Sequence, residues 1–488
     1  MPRNTRSPST GLSDRLRPES VIVFTGIRKY GLEGIFENAR LTGLGLQEAA
    51  RKSPGAGISA MQIVTALRDG ILIPHEKQQA ERPKTALEFI QNDRGGLVYP
   101  PIPGLHTHVA EIDFVSMYPA LMVKHNISPE IANNKRESLP PGLIPRTLAP
   151  LLAKRVALKE KLLILPTWHP HWRVYKARAA AQKWLLVTCF GYLGYKNARF
   201  GRIEAHEAVT KGGREALLTA KEIAEEHGYR VLHLYVDGLW IQRADVNKPD
   251  NLRPVLEEIA AVTGLPIALE GIYDWIAFLP SRVDARLSVP NRYFGRFQSG
   301  ELKMRGIAAR RHDTPPFIRA AQLDLLAQLP ADPARVGENM LPDLIVRQRE
   351  HLRALRRGTV PLENLLVSQR VGRKLSAYRV PSPAARAAMQ LEAAGKSVQP
   401  GMRVRFLYTR GKPGVWAWNL PGKCPVEMVD VPRYTKLIIR AVAEVLWPFG
   451  VDESTVKNWL VGGGNFLCAP GVLPRQASLP LFAFVSGN

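Results

Sequence analysis

Cysteine is scarce in this chain: Cys189, Cys424 and Cys468 are the only three in 488 residues, and none forms a CxxC pair. That usage supports neither a disulfide framework nor a zinc ribbon. Long apolar runs are missing too. Without a stretch of about 18 apolar residues there is no membrane-spanning helix to expect, and no basic amphipathic helix marks a membrane surface. The opening MPRNTRSPSTGLSDRLRPES lacks the apolar core of a signal peptide, so residues 1–20 are expected to be a disordered leader on a cytoplasmic protein. Acid is in deficit: 43 Asp and Glu face 67 Lys and Arg, for a formal charge of +24. A partner of dense negative charge is implied, and nucleic acid is favoured over membrane.

The length predicts about three domains and ample chain for a core. A short apolar strand, VIVFTGI at 21–27, leads into a helical pattern over residues 30–53 and a second helix near Ala60–Arg68. After the Gly–Pro-rich crossing GGLVYPPIPGLH comes EIDFVSMYPALMVKHNISPE, residues 111–130. Here Asp113 enters a run, Phe114, Val115, Met117 and Tyr118, too apolar for an idle acid. Pro119 ends strand pairing, and a helix can restart behind it. Taken alone, Asp113 is either a capped or ion-paired acid or a metal-holding carboxylate at a strand end.

From residue 140 the pattern turns helical and basic, broken at TWHPHW. Arg155 and Lys159, four apart, share one helix face, and Lys176, Arg178 and Lys183 populate the next helix. These are either solvated faces or a clamp for a polyphosphate. A long helix is predicted from about Ala205 to His227, stopped by Gly228. RVLHLYVDGLWIQRAD then reads as a hairpin around an Asp237–Gly238 turn. Asp237 is the second acid with apolar flanks, either a turn residue or part of a site. Later strands carry Arg292, Tyr293, Arg296, Lys303, Arg305, Arg310 and Arg311, a mixture of cations and aromatics suited to a nucleic-acid backbone. Residues 317–449 read as a mostly helical separate domain with a strand pair near Val404–Trp418.

Three blocks in this order resemble the family B DNA polymerases. DFVSMYPALM from Asp113 resembles the DxxSLYPSII block, KWLLVTCFG from Lys183 the KxxxNSxYG block, and HLYVDG from His233 the YxDTDS block. GGLVYPPIPGLH, KHNISPE, NRYFG, RGIAARRHDTPP and SQRVGRKLSAY are also similar to family segments, so the resemblance covers roughly residues 21–460. It implies an α+β right-hand polymerase with an antiparallel-sheet palm, helical fingers and a mostly helical thumb. The implied layout is leader 1–20, N-terminal remnant 21–100, palm 101–135 and 201–315, fingers 136–200, thumb 316–465 and tail 466–488.

By the same resemblance, Asp113 and Asp237 are the catalytic carboxylates. With the Phe114 carbonyl they hold two Mg²⁺ ions, for which Mn²⁺ can substitute, because hard cations take carboxylate oxygens. Arg155, Lys159 and Lys183 face the triphosphate of the incoming dNTP. Tyr118 matches the steric gate, and Phe190 lies in the middle block beneath the nucleotide. Arg292, Tyr293, Arg305, Arg310 and Arg311 are assigned to primer–template DNA. QASLPLF in the tail resembles peptides that bind sliding clamps, with Gln476, Leu479, Leu481 and Phe482 as its anchors.

The chain departs from the pattern at Tyr235, where the family has the first Asp of DTD, and at Val187, Thr188 and Phe190, where it has Asn, Ser and Tyr. No DxE-type motif precedes Asp113, so the expected activity is DNA synthesis without proofreading, in repair or lesion bypass. The alternative is a catalytically weak or inactive homologue that binds primer–template DNA.

Overall fold

The computed structural model describes residues 31–73, 75, 85–88, 95–131, 139–336 and 340–462. The strand expected at 21–27 and the tail peptide with Gln476, Leu479, Leu481 and Phe482 lie outside the described residues.

One eight-stranded antiparallel sheet contains β1 (Val98–Tyr99), β2 (Gly104–His106), β3 (Val109–Phe114), β4 (Arg230–Tyr235), β5 (Gly238–Gln242), β6 (Ile267–Pro280), β7 (Ser288–Phe297) and β8 (Leu302–Arg305). Its order is β1-β4-β5-β3-β6-β7-β8, with β2 also paired to β6. The chain therefore places β3 between two strands that follow it by more than a hundred residues, with Asp113 level with Gly238 on β5 and Ala268 on β6.

Around the sheet lie α1 (residues 31–42), α2 (Leu46–Arg51), α3 (Pro54–Arg68), α4 (Met117–Lys124), α5 (Leu143–Ile164), α6 (Pro170–Leu193), α7 (Ile203–Glu226) and α8 (Arg253–Thr263). The two-residue alternation of strands sends Ala110, Ile112 and Phe114 to one face of the sheet. They are buried there in one core with Leu217, Ala220 and Ala224 of α7 and Ile259 of α8. Each of the larger side chains among them, Ile112, Phe114, Leu217 and Ile259, contributes about 1.5–3 kcal/mol when fully buried. The α7 helix ends as expected, with Gly228 at φ 77° after the cap His227. Helices α3, α5 and α6 form a second core around Ile58, Leu148, Leu151, Leu185 and Cys189.

Beyond the sheet, α9 (Pro316–Ala327), α10 (Leu341–Arg356), α11 (Pro383–Ala393), α12 (Val431–Leu446) and α13 (Glu453–Val461) pack with a small sheet. Its strands are β9 (Val367–Arg370), β10 (Arg403–Tyr408) and β11 (Val415–Ala417), in the order β11-β10-β9. The sequence pattern shows two of them; β9 completes the set. One apolar core joins this unit to Trp275, Leu279 and Phe294 of the large sheet. The α+β class expected from the sequence is the class observed.

The hairpin differs from expectation by one residue. Tyr235 pairs with Gly238, so the two-residue turn is Val236–Asp237 and Gly238 already belongs to β5. Val236 takes the positive φ, 62°, which is costly for a β-branched residue.

Candidate active site

Strand alternation resolves why an acid stands in an apolar run. Asp113 and Glu111 share the face opposite Ile112 and Phe114, so the apolar neighbours enter the core while both carboxylates stay out of it. The turn carrying Asp237 is tied directly to this strand end, where the Phe114 N–H donates to the Asp237 carbonyl at 2.9 Å, and on its other side the Val236 N–H donates to the Leu97 carbonyl just before β1 at 2.9 Å. Past Phe114 the chain leaves the sheet sharply. Ser116 adopts φ 54° and its carbonyl accepts from the Ala120 N–H, starting α4.

A cleft of about 380 Å³ opens over this junction. Asp113, Asp237, Tyr118, Arg155, Lys159, Lys183 and Phe190 all line it, together with the Phe114 backbone position. The structure thus gathers at one place residues drawn from β3, the β4–β5 turn and three helices. The Arg155 guanidinium donates to the Ala179 carbonyl of α6, which fixes it between the two long helices. Tyr118 lies against Phe190 with ring centroids 4.4 Å apart, and Phe190 stacks on His206 at 4.3 Å. A Cβ at Gly213 of α7 would lie 2.7 Å from Tyr118 Cε1, so glycine there is what lets the Tyr118 ring settle on the helix backbone.

The electrostatics are unsatisfied on both sides of the cleft. Burial, Asp237, Glu270 and Glu111 push the Asp113 carboxyl up to about 8. Burial also raises Asp237, against the pull of its own backbone N–H and of Lys183. Opposite them, burial lowers Arg155, and burial with the Arg155 charge lowers Lys159. Asp113 Oδ1 and Arg155 Nε are buried without a hydrogen-bond partner. An orphaned carboxylate oxygen beside a second carboxylate is a donor set for a hard divalent cation, and an orphaned guanidinium N–H suits a phosphate oxygen. Among the described residues, no group of three or more histidine, cysteine or acidic side chains could hold a metal. The two carboxylates lining the cleft, Asp113 and Asp237, are a donor set that would suit a hard divalent cation keeping several water or substrate oxygens.

The residues assigned to DNA divide in two. Arg305 and Arg310 are exposed and line a groove of about 750 Å³ that also contains Glu270 and Lys303. Arg311 is exposed and pairs with Asp313 at 3.0 Å. Arg292 and Tyr293 are not on this surface, contrary to expectation. Arg292 is held by Glu444 of α12 at 2.7 Å and by the Pro280 carbonyl. Tyr293 is 2% exposed and packs edge-on against Trp240. As neighbours on β7 they face opposite ways, Arg292 towards α12 and Tyr293 into the aromatic cluster with Trp240 and Phe278.

Glu270, Glu111 and Tyr273 near the cleft escaped the sequence reading, and Lys303, read there as a cation for a nucleic-acid backbone, is tied to two of them. Glu270, on β6 two residues beyond the partner of Asp113, lines the cleft with an exposed side chain. Lys303 of β8 bridges Glu111 at 2.8 Å and Glu270 at 3.4 Å, and the Tyr273 hydroxyl donates to Glu111 at 2.6 Å. An acid at alternate positions of an apolar strand, as in Glu111 and Asp113, is the one signal that could have pointed to this network.

Residues 57–139 and 129–238 match the model of DNA polymerase family B, a span that contains Asp113, Arg155, Lys183 and Asp237. DNA polymerase 2 of Aeropyrum pernix is 27% identical over 450 residues, 88% of this chain and 52% of the relative. DNA polymerase 2 of Saccharolobus solfataricus is 32% identical over 305 residues, 61% of this chain and 45% of the relative. The solved family B DNA polymerase of the hyperthermophilic archaeon Pyrobaculum calidifontis shares the fold, with a TM-score of 0.57 over 86% of this chain and 54% of that one at 24% identity. The chain spans about half the length of the curated relatives it matches. Its motif residues are gathered at one cleft and the match runs through them over residues 57–238, so the chain is similar to DNA polymerase family B there and shares the fold of a solved member.

Proposed function

We propose that this chain is a template-directed DNA polymerase that adds deoxynucleotides to a primer 3′ end without proofreading, in repair or lesion bypass. The observation that carries the reading is the single cleft in which Asp113 and Asp237 face Arg155, Lys159 and Lys183. In the same reading the large sheet is the palm (101–135 and 201–315), the α5–α6 pair lies in the fingers (136–200) and residues 316–465 form the thumb.

Asp113, Asp237 and the Phe114 carbonyl would hold two Mg²⁺ ions, which when bound activate the primer 3′-hydroxyl and neutralise phosphate charge. Arg155, Lys159 and Lys183 bind and orient the triphosphate, and they stabilise charge that builds on its oxygens during transfer. Tyr118, braced by Phe190 and Gly213, forms the floor against which a ribose 2′-hydroxyl clashes. The exposed Arg305, Arg310 and Arg311 bind duplex backbone, and the tail from Gln476 to Phe482 offers itself to a sliding clamp. Among the described residues no helix is long and apolar enough to cross a membrane.

Primer extension with Mg²⁺ or Mn²⁺ tests the reading. Extension by the parent chain is expected, with a loss of at least about 100-fold in Asp113→Ala; no extension by the parent, or equal extension by the variant, overturns it. The second reading, a DNA-binding homologue with little or no catalysis, is favoured by Tyr235 standing where the family has an acid. It predicts salt-dependent primer–template binding without incorporation, unchanged when both aspartates are replaced.

A further inference from the structure

The connection between α5 and α6 does not take part in the cleft. Residues 143–193 carry nine lysines and arginines against one acid, Glu160. At their far end, Trp168 is 81% and Ile164 84% exposed, which is unusual for side chains that gain so much from burial. The aromatics beside them are already paired with cations. The Lys176 ammonium sits 4.4 Å from the Trp172 ring and Lys161 6.0 Å from the Tyr175 ring. His171 stacks on Tyr175 with centroids 5.8 Å apart, and His169 Nδ1 accepts the His171 backbone N–H, pinning the start of α6.

We infer that this tip is a single-stranded DNA site, with Trp168 as a stacking surface for a base and Lys161, Arg173 and Lys176 as its phosphate contacts. Indole rings stack on any base, while interspersed cations follow the backbone; that pairing is how unpaired strands are bound without sequence preference. A purely apolar partner would be repelled by nothing here, but it would leave the cations unused; a polyanion uses both. The two helices that carry the tip also carry Arg155, Lys159 and Lys183, so tip and cleft are held on one rigid support. At 1.5 Å per residue, the helices set Trp168 roughly 15–20 Å from the cleft. That is about four to six nucleotides at 3.4 Å each. Calling the bound strand the uncopied template rests on the polymerase reading; the binding does not.

Fluorescence anisotropy with the full chain, without nucleotide, tests it on two labelled duplexes whose template strands overhang by 2 or 10 nucleotides. The parent is expected to bind the 10-nucleotide overhang more tightly. Trp168→Ala should lose about 5- to 50-fold on that substrate and nothing on the short one, with an unchanged melting temperature. Lys161, Arg173 and Lys176 replaced together by Ala should reduce the salt slope by about 2 on the long overhang only. Equal affinity of Trp168→Ala and parent for the long overhang overturns the site, as does equal loss on both substrates. So does a Trp168-dependent affinity for anionic phospholipid vesicles that exceeds the affinity for the overhang. Extension of the short substrate, measured alongside, reports the polymerase reading separately: parent chains that bind overhangs but extend nothing sink that reading and leave this site standing.

Discussion

Replacing Asp113 by asparagine removes a charge that burial, Asp237, Glu270 and Glu111 all oppose, so the metal-free chain should gain stability wherever that charge exists. The folded pKa of about 8 lies above the ordinary carboxylate value. Between about pH 4 and pH 8 the folded state then keeps a proton that the unfolded state releases, and stability falls as pH rises through this window. Urea melts of Asp113→Asn should match the parent near pH 4 and exceed it by about 1–3 kcal/mol at pH 8. A constant gap across that range argues against a raised Asp113. Protons and divalent ions compete for the same oxygens, so extension at limiting Mg²⁺ should climb towards pH 8 and the midpoint should move down as Mg²⁺ is raised. Asp113 and Asp237 stand out in the sequence as acids among apolar neighbours, but only the family resemblance pairs them; the structure brings both to one cleft. The burial of Arg292 and Tyr293 is not legible there: Arg292 is held by Glu444, 152 residues later, Tyr293 packs on Trp240 and Phe278, and no local pattern contains those partners.

The β4–β5 hairpin shows the same limit at the level of an element. The strands and their approximate ends follow from β-rich composition, but the Asp-Gly signal places the turn one residue late. Backbone pairing of Tyr235 with Gly238 forces Val236 into φ 62°, a region that asparagine tolerates and valine resists. Val236→Asn should therefore be at least as stable as the parent, by up to about 1 kcal/mol, while its dNTP KM changes because Asp237 is next in the chain. A variant less stable by more than that would show that the Val236 side chain, which lines the cleft, matters more than its backbone. Helices α5, α6 and α7 were readable almost to their ends, since long amphipathic or basic runs with glycine or proline punctuation leave few alternatives. Their approach to β3, which creates the cleft, was legible only through the family resemblance.

Across the whole molecule, one buried carboxylate joins the large sheet to the C-terminal helical unit. Burial opposes the charge of Glu444, but Arg282 at 2.8 Å, Arg292 at 2.7 Å and the Gln322 amide outweigh it and hold the carboxyl below its usual range. Such a group stabilises above its unfolded pKa and loses that contribution as pH falls through the lower folded value, opposite in sign to Asp113. Glu444→Gln strands Arg292 and should cost about 3–5 kcal/mol, read as an earlier unfolding transition at pH 7; an unshifted transition would mean the two units hold together by apolar contact alone. The orphaned Asp113 Oδ1 and Arg155 Nε have a consequence for thermal stability. A cleft whose opposite walls both lack partners is finished by its substrate, so melting temperature becomes a gauge of occupancy. At 100 times its dissociation constant a ligand adds about 2.7 kcal/mol, and Mg²⁺ with a non-hydrolysable dNTP analogue should raise the transition by more than the two added singly, since each supplies the counter-charge the other wall lacks.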